Sequence, residues 1–214
     1  MSKHYIDMDN YPRAAHFAYF RSLSYPYVGT TVNVDVTGLL SYCKKHQVSF
    51  YLMFLHEAAL AADAIPEFRQ RIEGERIAEY DACPTSHTEA KKDGTYCYCT
   101  LHHHMPLDDY LKKAEAARKE CQKNGIKEEE DVASMYFIST LPWLHYTSLI
   151  QPVAGGDESN PRITWGKYEK DANGKYRMPL SVLVHHALID GIQIARFYEN
   201  VTQNLKKYEE EENQ

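Results

Sequence analysis

Met178-Pro179-Leu180-Ser181-Val182-Leu183-Val184-His185-His186-Ala187-Leu188-Ile189-Asp190-Gly191 is the stretch on which the fold turns. Its first half reads as a buried apolar strand over Tyr176–His185. That strand ends abruptly in two histidines. Asp190 and Gly191 then open a helix that runs to about Tyr208, with Ile194, Phe197, Tyr198, Val201 and Leu205 on one face. Neighbouring side chains on a strand point to opposite faces, so one histidine can enter a pocket while the other packs behind it. Imidazole titrates nearest neutrality, which makes it the usual general base. A carboxylate four residues on, at the helix start, can hold the intervening loop, and Gly191 permits a tight turn there.

Outward from this stretch, Ile163–Glu169 reads as a strand. The turn signal Asp171-Ala172-Asn173-Gly174 joins it to Tyr176–His185, so the sheet is at least partly antiparallel. Residues 28–36 alternate Val32, Val34 and Val36 with polar side chains, a half-buried strand. Thr37 is placed to cap a helix over Gly38–His46. Phe50–Ile65 is apolar nearly all round, a core helix that Pro66 stops. Ile72–Tyr80 reads as two short strands about Glu73-Gly74-Glu75, and Thr95–His104 as another strand. Pro106–Asn124 is an amphipathic helix with Gly125 at its end. Ser134–Leu141 is an apolar strand, and residues 151–161 are a polar loop. Residues 1–27 are irregular apart from a helical turn near Arg13–Phe17. No repeat, linker or shift in composition divides the chain, so a single α/β domain over 1–214 is expected.

The charge is −6 and no Lys/Arg stripe occurs, which disfavours nucleic-acid binding, and no nucleic-acid partner is expected. Glu209–Glu212 reads as a solvated helix end. No run of about 18 apolar residues is present, so no membrane span is expected. Tyrosine, at 17 of 214 residues, supplies rings with polar tips suited to pocket walls and subunit contacts. The five cysteines include Cys97-Tyr98-Cys99, whose spacing suits two buried thiols better than a local disulfide. With no apolar leader after Met1, the expected compartment is a reducing cytoplasm. His186 and Asp190 supply two ligands where zinc needs three or four. The run His102-His103-His104 offers further imidazoles, but no metal is expected.

His185-His186-Ala187-Leu188-Ile189-Asp190-Gly191 matches the HHxxxDG motif shared by chloramphenicol acetyltransferases, dihydrolipoyl acyltransferases and nonribosomal condensation domains. Asn10–Phe17, Ser139-Thr140-Leu141-Pro142-Trp143, Thr164-Trp165-Gly166-Lys167-Tyr168, Met178-Pro179-Leu180-Ser181 and Ala195-Arg196-Phe197 follow in matching order. Over nearly its whole length the chain resembles the chloramphenicol acetyltransferase family. The resemblance implies a two-layer α/β fold with a mixed, largely antiparallel sheet, assembled as a homotrimer with active sites between subunits. It implies direct transfer of acetyl from acetyl-CoA to a hydroxyl of chloramphenicol or a similar small alcohol. His186 would be the general base. Ser139 would bind the oxyanion and Thr164 would support the same intermediate. Asp190 would pair with Arg13 to hold the catalytic loop. Tyr19, Phe20 and Tyr25 would contact the acceptor.

The acceptor side departs from the family pattern. Tyr19-Phe20 stands where the family has Phe-Tyr, Ser24–Val28 does not match, and Ile192-Gln193 replaces an aromatic-His pair. A thiol acceptor, as in dihydrolipoyl acyltransferases, is disfavoured because the chain passes straight from Met1 into the core. A non-catalytic homologue of the same fold is the alternative reading.

Overall fold

The computed structural model describes residues 1–123 and 131–212. Ten strands and five α-helices follow in chain order among them. They are β1 (Lys3–Tyr5), α1 (Ala14–Arg21), β2 (Tyr27–Asp35), α2 (Thr37–His46), α3 (Phe50–Asp63), β3 (Gln70–Glu73), β4 (Arg76–Tyr80) and β5 (Thr85–Ala90). Then come β6 (Tyr96–Leu101), α4 (Leu107–Lys123), β7 (Tyr136–Leu141), β8 (Arg162–Gly166), β9 (Glu169–Lys170), β10 (Tyr176–His185) and α5 (Gly191–Glu212). Gly125, expected to end α4, lies outside the described residues.

The larger sheet runs β2-β10-β8-β7-β5-β6, with β9 also on β10. The apolar strand β10 sits between β2 and β8, antiparallel to both. The β8–β7 and β7–β5 ladders are parallel. Leu180, Val182 and Val184 are buried with the apolar sides of α3 and α5. In that layer Phe54 meets Trp165 edge-on and Phe68 stacks on Phe197. β1, β4 and β3 form a small separate sheet.

Most elements coincide with the sequence expectation, and the differences have physical causes. α2 begins at Thr37 rather than after it, because Asp35 Oδ1 accepts from both the backbone N–H and the hydroxyl of Thr37. Asp35 thus does the capping work expected of Thr37. Besides the two-residue β9, two strands have no hydrophobic signature. β1 is three exposed residues, and β5 reads Thr-Ser-His-Thr-Glu-Ala. In β5 the side chains of Thr85, Ser86, His87 and Glu89 are nonetheless buried. Their burial is tolerable because they are paired, His87 with Glu89 and Glu89 with Arg118.

The reading of the cysteines needs correction. Cys97 on β6 is bonded to Cys121 on α4, 24 residues away. The strand spacing rightly put Cys97 and Cys99 on one buried face, but it could not show a helix residue packed against them. Disulfides persist chiefly in oxidising surroundings, so the cysteines no longer point to a reducing compartment. No described helix is long and apolar enough to cross a membrane.

Parallel strands cannot be joined by a tight turn. Residues 142–161 make the β7–β8 crossover without a helix, and Gly166 lets that segment lie close to the sheet. A Cβ there would meet Leu144 O at 2.5 Å and both Pro179 and Tyr146 at 2.8 Å. Leu144 O cannot move away, because it accepts from Lys167 N at 2.7 Å. Gly166→Ala is therefore expected to destabilise by about 1–3 kcal/mol, the usual cost of overpacking. A thermal melt checks this; an unchanged Tm would mean that the crossover is loosely held.

Candidate active site

The end of β10 places two histidines in different roles. His185 is 1% exposed. Its Nε2–H donates to Gly156 O at 2.6 Å, and its Nδ1 accepts from Ala187 N–H at 3.2 Å. Both nitrogens are occupied, and burial pushes its pKa below the ordinary value. His185 is a neutral strut that holds the crossover segment to the strand end.

His186 has the opposite tautomer. Its Nδ1 lies 3.0 Å from Ile189 O, and a carbonyl can only accept, so Nδ1 carries the proton. Nε2 is left with the lone pair. The side chain is 30% exposed, so that nitrogen can be reached. The imidazole stacks on Phe20, with ring centroids 3.9 Å apart, and its backbone N–H donates to Pro26 O. Phe20, expected in the acceptor pocket, thus packs directly on the His186 ring. Tyr19, edge-on to Phe20, is 61% exposed.

Asp190 holds the loop from the other side. Its carboxylate takes a two-pronged ion pair from Arg13, one arm at 3.1 Å, and lies 3.2 Å from His186 Nδ1. The Arg13 hydrogen bond is the chief reason its pKa falls below the ordinary carboxylate value. Because the Asp190 side chain is engaged there, the start of α5 is tied by Gln193. Its Oε1 accepts from Asp190 N–H at 3.0 Å, and its amide donates to Glu67. This is one half of a capping box, and the Asp-x-x-Gln spacing was the signal for it. The departure from the family at Gln193 therefore has a local structural use.

Ser139 and Thr164 lie elsewhere. Ser139 pairs with Thr164 across β7–β8, Thr164 with Ser181 across β8–β10, and Ser181 with Thr31 across β10–β2. Directly opposed residues share a face, so four hydroxyl side chains cross the sheet in one row. Ser181 and Thr31 hydroxyls are 2.6 Å apart. The crossover closes over this row, with Tyr146 accepting from Ser181 and Gln151 accepting from Thr164 Oγ1 at 3.1 Å. Ser181 could have been noticed as the polar residue in an apolar strand; nothing in the sequence marks Tyr146 or Gln151.

A cavity of about 410 Å³ opens beside the row, lined by Tyr25, Thr31, Ser148, Ser181 and Leu183 among others. Tyr25, expected to contact the acceptor, is one of the residues that line it. A second cavity, of about 370 Å³, lies at the other ends of β7 and β8 between Phe50, Tyr51, Thr140, Trp165, Lys167 and Tyr168. It is mostly apolar, with one lysine.

One chain brings Arg13, Asp190, His186 and Phe20 together, and separately Ser139 with Thr164. It does not bring the two groups together. Along β10, His185 is four residues beyond Ser181, and Ser139 lies two strands across. At strand spacings that is about 13 Å by about 10 Å.

The family profile of chloramphenicol acetyltransferases matches residues 1–202. The chain belongs to the chloramphenicol acetyltransferase family. A chloramphenicol acetyltransferase from Klebsiella sp is 27% identical over 210 residues, covering 95% of this chain and 94% of the relative. A solved chloramphenicol acetyltransferase structure is 28% identical, with a TM-score of 0.87 over 95% of this chain and all of that one. A probable dihydrolipoamide acetyltransferase from Listeria monocytogenes shares the fold at 14% identity, with a TM-score of 0.68 over 92% of this chain and 93% of that one. The α/β architecture with its mixed, largely antiparallel sheet is that of the family. The chain is an acyltransferase of the chloramphenicol acetyltransferase type, which displaces the non-catalytic reading.

Asp190→Asn should keep the shape of the loop but leave the Arg13 guanidinium without its anion. The pair is partly exposed, so a loss on the order of 1 kcal/mol and about 2–4 °C in Tm is expected. Activity should fall as the imidazole loosens. A depressed folded-state carboxylate pKa stabilises in full above the unfolded value, near 4, and that contribution disappears as pH falls through the folded value. The Tm gap between parent and variant should thus be constant above about pH 5 and close on acidification. Melts from pH 3 to 8 check it; a gap that persists at low pH would exclude the ion pair as its source.

Proposed function

We propose that this acetyltransferase moves an acetyl group directly from acetyl-CoA to a hydroxyl of chloramphenicol or a similar small alcohol. The observation that carries the proposal is the fixed tautomer of His186. The Nδ1–H bond to Ile189 O leaves Nε2 as an accessible base at the end of a rigid strand.

In the proposed reaction, Nε2 accepts the proton of the acceptor hydroxyl as its oxygen attacks the thioester carbonyl. The tetrahedral intermediate carries a negative oxygen, to which Ser139 Oγ donates, with Thr164 and bound water in support. Collapse expels the CoA thiolate, which takes the proton back from the imidazolium. The enzyme is not acylated. Asp190 and Arg13 position the imidazole and do not relay the proton. Phe20 fixes the ring plane, and Tyr19 and Tyr25 contact the acceptor beside the hydroxyl row. The apolar cavity by Thr140 and Trp165, with Lys167 at its edge, suits the pantetheine arm and phosphates of CoA.

The separation of His186 from Ser139 supports a homotrimer in which the base of one chain faces the serine and acceptor pocket of the next. The exposed apolar residues agree with such burial: Trp143 is 77% and Ile150 94% exposed. Association is driven largely by covering surface of this kind.

Thiol release from acetyl-CoA in the presence of chloramphenicol, then of other alcohols, tests the reaction. His186→Ala should lower turnover by about 10²–10⁴ and Ser139→Ala by about 10²–10³, with both folded. A His186→Ala enzyme within tenfold of the parent would exclude His186 as the base. Co-expression of the two variants tests the shared site. Random mixing restores about one intact site in four if base and serine come from different chains in a cyclic trimer. No recovery in mixed trimers would place the whole site in one chain.

A further inference from the structure

We infer that Asp63, His103 and His104 form a binding site for a divalent transition metal of the zinc type, distinct from the acetyl-transfer site. The sequence places His103 and His104 in a run of three imidazoles with no visible third ligand. The fold supplies one, because α3 ends at Asp63 beside the segment that leaves β6.

Both imidazoles aim the same nitrogen at one oxygen. His103 Nε2 lies 2.9 Å and His104 Nε2 2.5 Å from Asp63 Oδ2. The three donor atoms all fall within 4.8 Å of one another. Tetrahedral zinc with ligands at about 2.0–2.2 Å holds its donors about 3.3–3.5 Å apart. The imidazoles would need to withdraw by less than about 1 Å for an ion to replace the two N–H protons. His103 is fixed, at 1% exposure, whereas His104 is 53% exposed and free to make that adjustment.

The carboxylate is oriented as metal ligands usually are. Its second oxygen, Oδ1, accepts from Tyr136 OH at 2.6 Å, which aims Oδ2 at the histidines. His103 Nδ1 is buried with no hydrogen-bond partner, so when Nε2 becomes a ligand it would carry the ring's proton without an acceptor, a cost that the metal bond must exceed. Two imidazoles and a carboxylate favour zinc and its neighbours over magnesium or calcium, which prefer oxygen ligands. Water reaching His104 would complete a four-coordinate ion. Metal binding would release the two Nε2 protons, or shift them to Nδ1, with no change of oxidation state.

The site ties the end of α3 to the β6–α4 connection. Tyr136 precedes Ser139 by three residues on β7, an odd number, so the two lie on opposite faces of the sheet. A bound ion therefore acts as a staple rather than as a reagent.

Tag-free protein, stripped with a chelator and dialysed, should be titrated calorimetrically with ZnCl₂ and separately with CoCl₂. One ion per chain should bind, and cobalt should give the visible absorption of a tetrahedral site. Zinc at a hundredfold excess over Kd should raise the Tm by about 5–10 °C. His104→Ala, an exposed change that leaves the fold and acetyl transfer intact, should abolish the uptake and the Tm rise. His102→Ala should change neither. Absence of stoichiometric uptake by the parent, or uptake that survives His104→Ala, would overturn the proposal.

Discussion

The hydrogen bond from His186 Nδ1 to Ile189 O is the constraint around which the rest is arranged. A side chain that must act as a base at neutral pH needs one nitrogen protonated and held, so that the other is basic and aimed. A carbonyl only three residues on does this, with the Asp190 carboxylate 3.2 Å from the same nitrogen. It requires a turn tight enough to bring Ile189 O back to the ring. That turn is held by a helix on one side and a strand on the other. Arg13 and Gln193 hold Asp190 at the helix side, and the buried His185 holds the strand side.

β10 can serve as the fixed post because it is paired on both edges and buried on both faces. Its helix-facing residues are ordinary core. Its other face carries Ser181 into the row of hydroxyls that joins Ser139, Thr164 and Thr31. One strand thus links His186 at its end to the hydroxyl row near its middle. That linkage also fixes the distance between them, which is too great for one chain to bridge by side chains alone. Rigidity that orients His186 is the same rigidity that calls for a neighbouring subunit in the proposed reaction.

The crossover between β7 and β8 shows how a segment without regular structure can be determined by its surroundings. It must span parallel strands, so it cannot be short. It is held by backbone and polar contacts from below: Tyr146 and Gln151 over the hydroxyls, Gly156 on His185, and Leu144 over Gly166. The cysteines make a similar point. Cys97 and Cys99 share a face by strand geometry, but only the packing of α4 selects Cys97 for the bond to Cys121.

The sequence by itself determined the elements with a strong apolar period: α3, α5, and β10 with its hairpin to β8 and β9; in β2 only Val34 is buried and Val32 is exposed. The side chains of α3, α5 and β10 announce which face is buried, because transfer of apolar surface from water is what forms them. The sequence also named the candidate site residues, since His185–Gly191 lies in one contiguous stretch with Arg13, Ser139 and Thr164 in family order. Tertiary structure alone decided everything carried by polar groups brought from far apart. It made a strand of Thr85–Ala90, whose buried polar side chains find partners in Arg118, in the β6 backbone and in one another. It gave Phe20 to the imidazole, and Asp63 to His103 and His104. Hydrogen bonds and ion pairs are directional and indifferent to sequence distance, so no local period records them. Thus His186 could be named from the sequence as the candidate base, while the tautomer that would make it one became visible only once Ile189 O was in place.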